Sequence, residues 1–226
     1  MPSLQDIEDE FTAWAKDYGK IRYSFWEGDF AEEHRRNQQE ALRKLEPKKG
    51  DTILDVGCGV GWGTLDAAAN ITPGEAHGID ITAAMLRKAR HHARKVGINN
   101  VRFTKASADD MPFDDGSFDG VFTTHAAHHF PDPLEAFKEI RRVLKHGKRL
   151  VLIDTSGSTR FMQGFEEKLR KEEKSHNRFL KLSEAKALLR KAGFSNIEGY
   201  RKDHTLYVKA RARRLTTPAS PTHPRA

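Results

Sequence analysis

The 226-residue chain has a single cysteine, Cys58. One thiol can form neither an intrachain disulfide nor a cysteine-rich zinc site. No apolar run approaches the roughly 18 residues of a membrane-spanning helix. The opening segment, MPSLQDIEDEF, has no basic-then-apolar layout, so it does not read as a secretory signal, and a cytoplasmic location is the expectation. The body of the chain also lacks a strong charge of either sign. Of the net +7, residues 201–226 carry +6, from Arg201, Lys202, Lys209, Arg211, Arg213, Arg214 and Arg225 against Asp203. The basic excess therefore reads as a solvated tail rather than a polyanion-binding face. No internal repeat is visible. The length suits one large domain with appendages, able to bury a full core without covalent staples.

Hydrophobic periodicity divides the chain. Leu4, Ile7, Phe11, Trp14 and Tyr18 recur at helical spacing behind Ser3, a predicted N-cap. An aromatic-rich break, residues 19–29, separates this helix from a second at about 31–45. Pro47 and Gly50 then punctuate the start of the main domain. From there strands and helices alternate. Strands are predicted at 52–56, 76–81, 101–104, 120–124, 149–154, 197–200 and 206–210. Helices are predicted at 62–70, from Thr82 to Val96 with Gly97 at its end, and from Asp132-Pro133 with Leu134, Phe137, Ile140 and Leu144 inward. Residues 157–182 read as a charged helical insertion, and Ser183 as the cap of a last helix ending at Gly193. The fold class expected is α/β: a doubly wound, Rossmann-like, seven-stranded, mostly parallel sheet with helices on both faces and an N-terminal helical extension. Residues 1–46 form the extension or lid, 47–210 the main domain, and 211–226 a disordered basic tail.

The sharpest local feature is Ile53-Leu54-Asp55-Val56-Gly57-Cys58-Gly59-Val60-Gly61-Trp62-Gly63, at a strand-to-helix turn. Glycines at alternate positions weaken a chain unless a ligand approaches its backbone or the backbone needs positive φ. A dinucleotide fingerprint, G-x-G-x-x-G, does not fit. Counted from Gly57 the third glycine falls at Trp62, and from Gly59 it falls at Thr64. Asp55 beside the loop would repel a pyrophosphate and suits an ammonium group. Asp80, ending the second strand, can accept both hydroxyls of a ribose on its two oxygens.

Over residues 45–210 the chain resembles the class I S-adenosylmethionine (SAM)-dependent methyltransferases. It looks most like their ubiquinone- and menaquinone-biosynthesis branch (methyltransferase type 11). Four stretches carry the likeness: ILDVGCGVGWGTL (53–65), GIDIT with Met85 and Leu86 beyond it, ASADDMPFDDGSFDGVF (106–122) and HHFPDPLEAFKEIRRVLKHGKRLVLID (128–154). The resemblance implies SAM as methyl donor and a cofactor set of Asp55, Gly57, Cys58, Gly59, Gly61, Asp80, Ile81, Ser107, Ala108 and Thr124. Asp55 would hold the amino group, directly or through water. Asp80 would bind the ribose, Ile81 would pack on adenine, and Ala108 would line the adenine edge. A sulfonium methyl needs no metal to activate it. Three departures stand out. Ser107 occupies a position that is often acidic, where Asp109 can assist. Leu144-Lys145-His146-Gly147-Lys148 replaces L-K-P-G-G and reads as turn chemistry. The C-terminal tail lies beyond the family pattern.

Thr123-Thr124-His125-Ala126-Ala127-His128-His129-Phe130 follows the fourth strand, on the ligand side of the sheet. No H-E-x-x-H motif accompanies these histidines, so no metal is expected. By the resemblance, His129 takes a packing or hydrogen-bonding role, leaving His125 and His128 as candidates for a general base or acceptor contact. The [N/D/S]-P-P-[Y/F/W] loop of exocyclic-amine methylation is absent. Cys58, inside the cofactor loop, cannot also be the nucleophile of pyrimidine methylation. A small-molecule acceptor, quinol-like or aromatic, is therefore favoured over nucleic acid. Candidates for its pocket are Tyr18, Tyr23, Phe25, Trp26, Phe30 and the 157–182 insertion, with plain packing of an N-terminal helix on the sheet as the alternative for these aromatics. An RNA or protein methyltransferase and a non-catalytic SAM-binding module remain the alternatives. Oligomeric state is not readable.

Overall fold

A computed structural model describes residues 3–15, 30–172 and 174–213. The basic tail from 214 onward, and Tyr18, Tyr23, Phe25 and Trp26, lie outside the described residues. Ser3 caps α1 (Leu4–Trp14) in a reciprocal box with Asp6, as the sequence predicts. Next come α2 (Phe30–Leu45), β1 (Thr52–Val56), α3 (Trp62–Ile71), β2 (Glu75–Asp80), α4 (Ala83–Val96), β3 (Val101–Lys105) and β4 (Phe118–Thr124). A single 3₁₀ turn (Ala127–His129) leads to α5 (Pro133–Val143), β5 (Leu144–Thr155), α6 (Arg160–Glu172), α7 (Leu182–Lys191), β6 (Phe194–Lys202) and β7 (Thr205–Ala212).

The seven strands form one sheet in the order β3-β2-β1-β4-β5-β7-β6. Strands β1 to β5 are parallel, while β7 runs antiparallel to both β5 and β6. The order reverses direction between β1 and β4, and ligands of such sheets bind at that switch point, outside the carboxyl ends of the strands. Alternation along the strands builds the two faces. Ile53, Phe122, Val151 and Ile153 pack with Ala41, Leu42 and Leu45 of α2 and with α3. Leu54, Val121, Leu150 and Leu152 face α5 and α7 through Phe137, Ile140 and Leu189. Helix α2 is thus part of the layer on the sheet, not of a lid. Helix α6 has a small core of its own, in which Met162, Phe165 and Leu169 meet Phe179.

Several predicted boundaries shift: β4 starts at Phe118 instead of Gly120, and β6 runs Phe194–Lys202 instead of 197–200. Strand β5 begins at Leu144 instead of Arg149, because Leu144 pairs with Phe118 and Gly147 takes φ +76° within an extended run. The segment 144–148 is therefore strand rather than a separate turn. Ser183 is not a cap: α7 starts at Leu182, and Glu184 reaches back to the N–H of Lys181, the residue before the helix. The predicted caps at Gly97 and Asp132 are present, the latter accepting from the N–H groups of Leu134 and Glu135.

Candidate functional site

The loop after β1 turns through three glycines in the left-handed region, Gly57 (φ +75°), Gly59 (φ +53°) and Gly61 (φ +86°). The N–H groups of Gly57 and Cys58 both donate to the Ile79 carbonyl at 2.9 Å, which ties the loop to β2. A Cβ on Gly57 would lie 2.4 Å from that of Ala126, so the loop touches the turn after β4. Both are held at the carboxyl end of the sheet, where they border the main cavity.

Asp80 completes the loop. Its Oδ2 accepts the Gly59 N–H at 2.9 Å and its Oδ1 accepts the Thr82 N–H at 2.8 Å. Each oxygen keeps capacity for one more donor. Burial raises its pKa above the usual carboxylate range, so the group gains from any ligand hydroxyl that donates to it. With positive-φ glycines and a cavity-facing carboxylate at adjoining strand ends, the residues fit a ribose-bearing cofactor.

The cavity wall brings together Gly57, Gly59, Asp80, Ile81, Ser107, Ala108 and His125 of the sequence-predicted set. Asp55, Cys58, Gly61, Thr124 and His128 lie off that wall. Asp55 is buried behind the loop, where its Oδ2 accepts from Thr64 Oγ1 at 2.8 Å. Burial and the neighbouring Asp80 push its pKa up to about 7. The Cys58 thiol is buried and its pKa driven well upward, so it is inert. Ser107 donates its hydroxyl to Asp109, and both line the cavity, so Asp109 is the carboxylate beside Ser107 there.

The histidines separate. His125, at φ +50°, and His129 line the cavity. His128 turns away: its Nδ1 meets Asp154 Oδ1 at 2.6 Å, and its N–H donates to Oδ2 at 3.1 Å. Its ring lies 5.3 Å from that of Phe179. His129 Nδ1 sits 3.0 Å from the Ser175 carbonyl, and its ring meets Phe11 edge-on at 4.8 Å. Burial lowers the pKa of all three imidazoles, that of His125 to about 4. Near neutral pH the cavity therefore faces neutral rings. No metal-holding group of three ligating side chains occurs among the described residues.

The far wall is apolar. Leu4, Ile7 and Phe11 of α1 close it against Phe130 and Pro131. The sequence points instead to the aromatic break, whose Tyr18, Tyr23, Phe25 and Trp26 lie outside the described residues, and to the insertion, no described residue of which lines this cavity. The signal was present in the 4, 7, 11 spacing of α1, which reads as core packing until the cavity is seen. Helix α1 is anchored by Glu8 to Lys105 at 2.6 Å and by Glu10, which accepts the Ser175 N–H at 2.7 Å.

The family described as a methyltransferase domain matches residues 47–193. The uncharacterized methyltransferase YcgJ of Bacillus subtilis is 36% identical over 113 residues, covering 50% of this chain and 44% of that protein. The chain thus spans less than half the length of that relative. The demethylmenaquinone methyltransferase of Staphylococcus carnosus is 31% identical over 188 residues, covering 74% of this chain and 77% of that protein. Among solved structures, the [4+2]-cyclase SpnF superposes with a TM-score of 0.76 at 19% identity, over 94% of this chain and 97% of its own. At that identity it shows the shared fold alone. No helix among the described residues is long and apolar enough to cross a membrane.

Proposed function

The chain belongs to the class I SAM-dependent methyltransferases, and on that premise we propose that it carries the methyl group to a small, largely apolar acceptor entering between α1 and the turn after β4. SAM supplies a methyl already activated on a sulfonium, with a neutral thioether as leaving group. The residues of this chain have three tasks. Gly57, Gly59 and Asp80 hold the cofactor, with Ser107 and Asp109 at its adenine end. Leu4, Ile7, Phe11 and Phe130 exclude water and align the acceptor. Such orientation supplies roughly 7–11 kcal/mol of a bimolecular barrier. His125 contacts the acceptor. His128, engaged with Asp154, does not, which revises its candidacy.

The observation that carries the reading is the character of the far wall: aliphatic and aromatic side chains beside neutral imidazoles. The one further carboxylate there, Asp132, is exposed at the rim and accepts the N–H groups of Leu134 and Glu135 on its Oδ1. A quinol or another neutral aromatic fits this lining, and the name of the Staphylococcus relative is consistent with it. A polyanionic acceptor fits less well. The basic side chains Arg149, Lys209 and Arg211 gather at the opposite end of β5 and β7. Arg149 precedes Asp154 by five residues along β5, about 16 Å at a strand's rise.

The test is label transfer. Purified protein is incubated with methyl-labelled SAM and, separately, the organic-soluble, RNA and protein fractions of a cell extract. Label in an organic-soluble compound is expected. Label appearing in RNA or protein alone would overturn the small-molecule reading and leave the SAM dependence intact.

A further inference from the structure

His125 is held from three sides by elements far apart in sequence. Its backbone N–H donates to the Ile153 carbonyl at 2.9 Å. His34 of α2 stacks flat against its ring, with centroids 3.9 Å apart and planes 10° apart. Its Nε2 lies 2.8 Å from the side-chain nitrogen of Asn37, also on α2 and 4% exposed. Asn37 is oriented in turn by Tyr207 of β7, whose hydroxyl donates to the amide oxygen at 3.0 Å. His34, Asn37 and Tyr207 all lie outside the 47–193 stretch that the family model matches.

We infer that Asn37 and Tyr207 are positioning residues that fix His125 as its Nδ1–H tautomer, so that the site offers the acceptor a hydrogen-bond donor in place of a base. An amide nitrogen only donates. With the Asn37 oxygen committed to the Tyr207 hydroxyl, its nitrogen faces His125 Nε2, and Nε2 must accept. The single ring proton is then on Nδ1, the nitrogen left to the cavity that His125 lines. The stacked His34 ring keeps the imidazole plane fixed, and a backbone at φ +50° is consistent with a position held by its surroundings.

The inference rests on the methyltransferase reading for its meaning and narrows the acceptor class. An N–H aimed into an apolar pocket pairs with a carbonyl or phenolate-type oxygen. It does not take a proton from the acceptor, because the nitrogen facing the cavity already carries one. An acceptor that lacks such an oxygen leaves this donor unpaired in a dry pocket, and a site built around a polar group rejects analogues without it.

The experiment reads the tautomer directly and needs no acceptor. Long-range proton–nitrogen NMR on labelled full-length protein with S-adenosylhomocysteine, near pH 7, reports which ring nitrogen is protonated. The His125 signals are assigned by their loss in His125→Gln. Expected are a protonated Nδ1 and a bare Nε2. Asn37→Asp, whose carboxylate only accepts, should move the proton to Nε2. Tyr207→Phe, which frees the amide to turn, should give a mixture of tautomers. A wild-type His125 protonated on Nε2, or a tautomer unmoved by Asn37→Asp, overturns the inference. S-adenosylhomocysteine affinity measured on the same samples keeps the two readings apart. Failure to bind it counts against the methyltransferase reading, whereas the tautomer assignment stands or falls on the spectra.

Discussion

Ser107 and Asp109 together place a hydroxyl and a carboxylate on the wall proposed to meet adenine. Because the hydroxyl is spent on Asp109, the carboxylate is the available acceptor. Asp109→Ala should therefore weaken S-adenosylhomocysteine binding by about 1.5–3 kcal/mol, the usual worth of a hydrogen bond to a charged group. Ser107→Ala should cost less. Ser107→Asp should weaken binding too, because it sets two carboxylates side by side. Calorimetry on the three variants checks the order. Asp55 gives a second expectation at this scale. Its pKa of about 7 in the free protein means that a ligand ammonium group nearby, which favours the ionised form, drives a proton off. Binding near pH 6.5 should release up to one proton, seen as a dependence of the binding heat on buffer ionisation. The release should vanish in Asp55→Asn. The same residues show what a sequence discloses about a site. Asp55 and the glycines stand out as candidates because one strand–loop–helix spacing carries them, and Asp80 because it ends the next strand. The contact of Asn37 with His125 joins positions 88 apart, and no local pattern announces it.

At the scale of elements, two glycines with nearly the same backbone separate strain from contact. Gly97 at the end of α4 (φ +73°) has nothing within 4 Å of a built Cβ, whereas at Gly57 (φ +75°) that Cβ would meet Ala126 at 2.4 Å. Gly97→Ala should cost about 1 kcal/mol, the price of a left-handed backbone on a residue with a Cβ, and leave S-adenosylhomocysteine affinity unchanged. Gly57→Ala should cost that and more, since either the glycine loop or the turn after β4 must move. It should also lower affinity at least tenfold, because both elements border the cavity. Urea unfolding and calorimetry on the pair test this, and equal effects from the two variants would refute the packing argument. The elements themselves were largely foreseeable. Gly97, the Asp132-Pro133 start of α5 and the alternating strands announce themselves through backbone chemistry. The start of β5 at Leu144 was not foreseeable, because its pairing with Phe118 is a tertiary contact. The role of α1 was hidden for a related reason: Leu4, Ile7 and Phe11 look alike whether they cover a core or a cavity.

Over the whole molecule, ionisable groups are sorted by position along the sheet. The basic side chains of β5 and β7 gather at one end, and partly buried histidines and buried or partly buried aspartates gather at the other, around the cavity. This arrangement makes stability depend on pH through the cavity end. Burial lowers the pKa of His34, His125, His128 and His129, so below the ordinary histidine value the unfolded chain takes up protons that the folded chain refuses. Their contribution is present above about pH 6.5 and is lost as pH falls. Asp55, Asp80 and Asp154 act in the opposite sense. Their raised pKa values let the folded state hold protons that the unfolded state has released, which favours folding as pH falls. The two sets partly offset each other, so the slope for the intact protein is a net quantity and a comparison between variants is the sharper measurement. For His125, with a folded pKa of about 4, the loss at pH 5.0 relative to pH 7.5 is about 2 kcal/mol, from 1.5 pH units at about 1.4 kcal/mol each. His125→Gln removes this titration while the three aspartates remain in both proteins. The difference in unfolding free energy between pH 7.5 and pH 5.0, measured in urea, should therefore be smaller in the variant by about 2 kcal/mol. An identical difference in the two proteins would mean that His125 titrates alike folded and unfolded, and that its ring is open to water rather than enclosed by α2 and the turn after β4.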